Sequence, residues 1–86
     1  MQFSELMNRL RQLNYDDVGD LKNSEHYAVM IGHRDQIGFP PEFQFHTLYK
    51  PAGQDDWMVT DDEVAALRRR FGITDDRWFV HRRLQR

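Results

Sequence analysis

TDDEVAALRRRFG, residues 60–72, reads as one complete helix with its own start and stop. Thr60 and Glu63 have capping-box spacing, in which each side chain reaches a backbone N–H that the first turn leaves unpaired. Asp61 and Asp62 fall at the positive end of the helix dipole and Arg68, Arg69 and Arg70 near its negative end, while Gly72 supplies the left-handed stop. Val64, Leu67 and Phe71 share one stripe, which predicts burial along that side.

Working outward from this helix, WMV at 57–59 reads as a short strand and PAGQDD at 51–56 as a turn. FQFHTLYK at 43–50 alternates, with Phe43, Phe45, Thr47 and Tyr49 on one face and Gln44, His46, Leu48 and Lys50 on the other. Pro40 and Pro41 remove two backbone donors and make 33–42 a loop. HYAVMIG at 26–32 is rich in β-branched and aromatic residues. Tyr27, Val29 and Ile31 alternate with Ala28 and Met30, which predicts a central strand. Residues 15–24, YDDVGDLKNS, carry no clear period and read as a polar connection. Before them Phe3, Leu6, Met7, Leu10 and Leu13 recur at helical spacing, predicting a helix over about 5–13 with Ser4 as N-cap and Asn14 as stop.

The fold class is therefore α+β: helix, three-stranded antiparallel sheet, helix, with a short C-terminal extension read as a further helix that folds Trp78 back onto the core. Pairing Phe45 with Ile31 sets the hairpin register. Leu10, Ile31, Phe45, Trp57 and Leu67 then form the core, and Ala28, Met30, Leu48 and Met58 lie on an open face. Eighty-six residues suffice for one domain. Cysteine is absent, which excludes a disulfide framework and thiolate zinc sites and fits a cytoplasmic chain. No segment has the ~20 apolar residues of a membrane span, and the N-terminus lacks a signal-peptide core, so no membrane partner is expected.

No catalytic constellation emerges. His26, His33, His46 and His81 show no HxH, HxxxH or HExxH spacing. In the expected register His26 and His46 stand about 13 Å apart, too far to share a metal. Neither a metal nor another cofactor is expected. The four Asp-Asp pairs sit in helix first turns or in loops, where dipole and cap explain them. Ser4 and Ser24 lack a nucleophile-elbow context, and no glycine-rich phosphate loop is present. The net charge is −2, yet seven arginines fall within the last nineteen residues: Arg68, Arg69, Arg70, Arg77, Arg82, Arg83 and Arg86. Interleaved with Trp78, Phe79 and His81, they suit either a protein interface or phosphate neutralisation with base stacking. The candidate binding residues are accordingly Arg69, Trp78, Arg82 and Arg83 together with Met30 and Leu48. The expected function is non-catalytic binding of a protein partner through the open face and the basic tail, with RNA binding as the alternative.

SELMNRLRQLNY at 4–15, followed by NSEH at 23–26 and a strand, resembles the start of HicA-type toxins, small ribonucleases of double-stranded-RNA-binding-domain fold. That resemblance implies the order helix, three strands, helix and a catalytic role for His26. Asn14 stands where the family carries Gly, Asn23-Ser24-Glu25-His26 stands for its Gly-Ser-His element, and the chain is acidic rather than basic. The FPPEFQF segment (39–45) and the C-terminal extension have no counterpart in the family.

Overall fold

A computed structural model describes residues 1–23, 26–36 and 45–78. Helix α1 spans Phe3–Gln12, strand β1 Tyr15–Asn23, β2 His26–His33, β3 Phe45–Tyr49, helix α2 Asp61–Phe71 and the short helix α3 Asp75–Trp78. A 3-10 turn, Arg34–Gln36, follows β2. The α+β class, the antiparallel sheet and its three strands are as expected, but one strand is not the one expected. YDDVGDLKN is β1, paired antiparallel along its whole length with β2. Its three Asp and one Gly have low strand propensity, and pairing with the apolar β2 overrides that preference. A bulge between Asp17 and Gly19 breaks the alternation, which is why no period is visible in the sequence. WMV, conversely, is no sheet strand. It makes an isolated bridge, Gln2 to Met58, with Phe3 N–H donating to the Trp57 carbonyl at 2.8 Å and Val59 N–H to the Met1 carbonyl at 2.8 Å.

The sheet runs β1-β2-β3, with β2 central as the apolar run implies. Opposite β3, Val29 pairs with Leu48, Ile31 with His46 and Gly32 with Phe45. This is one residue out of the expected register. Because side chains alternate with period two, the slip exchanges the faces of β3. Leu48 enters the core at 1% exposure and Phe45 leaves it at 42%.

The core lies between the sheet and the helices. Val29, Ile31 and Leu48 meet Leu6, Met7 and Leu10 of α1 and Val64 and Leu67 of α2, closed by Tyr15, Trp57, Val59, Ile73 and Trp78. Leu10, Ile31, Trp57 and Leu67 are buried as expected. The Phe3 ring stacks on Trp57 at 4.1 Å, and Phe71 stacks on Tyr15 at 4.5 Å.

The two long helices end by different means. On α2, Thr60 Oγ accepts from Glu63 N–H at 3.2 Å and its hydroxyl donates to the Glu63 carboxylate at 3.3 Å, so the return bond joins the two side chains. Gly72 takes φ 65°, and Ile73 N–H reaches the Arg68 carbonyl at 2.9 Å, which closes the helix as a Schellman motif. On α1 the capping position is Gln2, whose side chain makes no capping bond. Ser4 is not the N-cap but lies inside the first turn. Its N–H and hydroxyl donate to the Asp56 carboxylate at 2.9 and 2.8 Å. Asn14 does end the helix, in the left-handed conformation at φ 70°.

Candidate interaction surface

Strand parity sorts the sheet residues by face. Leu21, Ala28 and Tyr49 form one cross-strand row turned away from the helices. Gly19, Met30 and Thr47 form the next, and Gly32 pairs with Phe45 beyond it. On this outer face Leu21 is 43% exposed, Phe45 42% and Tyr49 59%, with Ala28 and Met30 half-buried among them. Isolated exposed apolar residues are ordinary, but this set is contiguous through the ladder, which is the pattern of an interaction surface.

Of the residues proposed from sequence, Met30 and Ala28 are on this face. Leu48 is not: it belongs to the core, for the register reason given above. Met58, 64% exposed, lies off the sheet in the segment bridged to Gln2. Trp78 is 4% exposed, with the Arg9 guanidinium 5.5 Å and the Arg68 guanidinium 5.2 Å from its ring centre. It is therefore a core residue between two cations rather than a surface anchor. Arg68 also pairs with Asp75. Arg69 is exposed, beside a shallow depression of about 350 Å³ lined by Ala65, Arg68, Gly72, Ile73 and Thr74. Because α2 covers the inner face of the sheet, Arg69 and Met30 stand on opposite sides of the molecule, and the structure does not join them into one site. Arg82, Arg83 and Arg86, like Phe43 and the two prolines, lie outside the described residues.

Leu21, Phe45 and Tyr49 are the surface residues that the sequence reading missed. The signal for Leu21 was hidden by the bulge, and the other two were placed on the wrong side by the register.

The titratable groups sort into structural roles. His46, on the inner face against the Phe71 ring, has its pKa lowered by burial and by Arg70, with Glu63 opposing. Burial pushes the Asp17 carboxyl up, aided by its neighbour Asp16. The two sit on an edge strand, where Arg11 and Arg34 pair with Asp16 at 3.7 and 3.5 Å. Lys50 and Asp20 meet at 2.5 Å in a corner groove of about 310 Å³, lined also by Lys22, Tyr27, Gln54 and Asp55. Among the described residues no three His, Asp or Glu side chains are placed to hold a metal ion. In the observed register His46 lies opposite Ile31, five residues along β2 from His26 and so about 16 Å away. Among the described residues no helix is long and apolar enough to cross a membrane. The chain matches no protein-family model, no curated protein and no solved structure.

Proposed function

We propose that this protein is a small interaction module that takes a protein partner on the outer face of its sheet. The observation that carries the reading is the ladder of Leu21, Met30, Phe45 and Tyr49, large apolar side chains held on a three-stranded sheet. Burying such a patch removes apolar area from water at roughly 25 cal/mol per Å². Aromatic and Met side chains are also those enriched at the centres of interfaces. Over residues 1–78, nine Lys and Arg face fourteen Asp and Glu, a balance that suits a protein surface better than a phosphate backbone. Arg69, Arg82 and Arg83 enter this reading as a separate basic zone that adds steering rather than the anchor.

The test is capture from the native cell with and without nuclease, using wild-type protein and the variants Leu21→Asp, Met30→Asp and Arg69→Gln. A partner that survives nuclease and Arg69→Gln but is lost with Met30→Asp and Leu21→Asp supports the outer face. A partner retained by both Asp variants sinks it.

A second reading, RNA binding or cleavage, is favoured by three observations. The order helix, three strands, helix is the one that the HicA-type resemblance implies, and His26, to which that resemblance gives the catalytic role, is the first residue of β2. Asn14, standing for the family's Gly, adopts the left-handed backbone that Gly supplies by default. Under this reading capture is nuclease-sensitive, affinity falls steeply with salt, and His26→Ala abolishes cleavage.

A further inference from the structure

The corner groove lies where the helices stop covering the inner face of the sheet. Asp20, Val29 and Leu48 form one cross-strand row on that face, and Val29 and Leu48 are buried in the core. Two residues further along each strand, Lys22, Tyr27 and Lys50 form the next inner row, with Lys50 N–H on the Tyr27 carbonyl at 3.0 Å. This row and the turn 51–55 line the same groove, of about 310 Å³. The turn is placed by the fold. Gln54 N–H closes it on the Pro51 carbonyl at 3.4 Å, with Gly53 left-handed at φ 74°. Asp56, which follows it, is bonded to Ser4 of α1.

Four formal charges line this groove, Asp20 and Asp55 against Lys22 and Lys50. They cancel in sum but not in place. Lys50 is paired with Asp20 at 2.5 Å, and its pKa is raised first by that bond and also by the charge of Asp55. Around Lys50, then, two carboxylates share one ammonium. Among the described residues Lys22 has no carboxylate partner. Its ammonium stands over the Tyr27 ring, 5.5 Å from the centre. The groove is therefore left with one uncancelled carboxylate, Asp55, and one uncancelled ammonium, Lys22, on a lining that also holds Leu21, Pro51 and Ala52.

That pattern selects a ligand class. A dianion would meet Asp55 and a dication would meet Lys22, whereas a molecule with one charge of each sign satisfies both. The volume is at the lower end for small-molecule sites, so the ligand is small. We infer that the groove binds a free amino acid with an apolar side chain, its carboxylate on Lys22, its ammonium on Asp55 and its side chain against Leu21, Pro51 and Ala52. Tyr27 positions the Lys22 ammonium for this contact. Both charged groups are exposed, so the affinity is modest, with Kd about 1 mM. The inference stands apart from the outer-face partner, since it rests on Lys22 and Asp55 rather than on Met30, Phe45 or Tyr49.

The test is amide chemical-shift titration of the full chain with three probes that share one phenyl ring. These are L-phenylalanine, 2-phenylethylamine, which lacks the carboxylate, and 3-phenylpropionate, which lacks the ammonium. Phenylalanine should give saturable shifts at residues 20–22, 27 and 50–55, and each analogue should bind about fivefold more weakly. Lys22→Gln should lower the affinity for phenylalanine about fivefold and leave that for phenylethylamine unchanged. Asp55→Asn should lower the affinity for phenylalanine to a similar degree and leave that for phenylpropionate unchanged. Both are surface changes that the fold should tolerate, and the comparison of probes on the wild-type chain needs neither variant. Three results overturn the inference: no saturable shift with phenylalanine well above millimolar concentration, an analogue that binds as tightly as phenylalanine, or a folded variant that keeps the wild-type affinity for it.

Discussion

Helices α1 and α2 bury comparable stripes against the same sheet, yet one is specified locally and the other is completed from far along the chain. On α2, everything from Thr60 to Gly72 lies within thirteen consecutive residues, and the structure reproduces its start and stop. On α1, the first-turn donors of Ser4 are satisfied by Asp56, 52 residues away, and Phe3 N–H by the Trp57 carbonyl. A helix that closes itself can be read from its own letters. One that borrows its cap can be read only once the fold is known.

The first way to break this comparison is through the core, where the two helices should be alike. Leu10 and Leu67 are both fully buried, so Leu10→Ala and Leu67→Ala should each cost about 2–5 kcal/mol by denaturant unfolding. A small loss for Leu10→Ala alone would mean that α1 is held chiefly by its ends. Next in size is the local cap: Thr60→Ala should cost about 1 kcal/mol, lowering Tm by roughly 4–8 °C.

The borrowed cap should give a smaller and pH-dependent effect. The Asp56 carboxyl is held below its ordinary value of 3.8 by the backbone and hydroxyl donors of Ser4. A group whose pKa is depressed in the folded state stabilises above its unfolded pKa and loses that contribution as pH falls through the folded value. Asp56→Asn should therefore lower Tm by a few degrees at pH 7 and by progressively less in acid, flattening the acid limb of a Tm–pH curve. An unchanged acid limb would detach Asp56 from α1.

Smallest of all is the effect at His46, against α2. Burial, with Arg70, holds its pKa below 6.5, so the unfolded chain binds the proton more readily than the folded one. Stability should fall as pH drops through 6.5 and level off once the folded protein also titrates. His46→Gln should remove that slope between pH 8 and 5. A slope that persists would assign it to another group.

Much of the architecture could be read because its signals are periodic. The helical spacing of Leu6, Met7 and Leu10, the β-branched run of 26–32 and the TDDE start each coincide with the element they predict. What escaped did so for nameable reasons. Residues 15–23 are a strand because β2 needs a neighbour, and their own composition opposes it. WMV has strand propensity but, among the described residues, only Gln2 to bridge. The outer-face residues depend on a register that period-two alternation leaves free by one step: FHTLY presents apolar side chains on both faces, so nothing within it says whether Leu48 or Phe45 turns inward. Trp78 folds onto the core as expected but is too buried to serve as the binding residue it was also expected to be, and Arg9 and Arg68 flanking its ring come from two different helices and have no sequence signature.

The dependence of α1 on Asp56 has a consequence in time. The ribosome adds roughly 5–20 residues per second, so the 52-residue separation between Ser4 and its acceptor corresponds to a delay of about 3–10 s. For that interval α1 exists without its cap and without the Trp57 carbonyl that receives Phe3. Too short to be stable alone in water, it must fray or be shielded until residues 56–59 are synthesised, whereas α2 has its cap almost as soon as it is made.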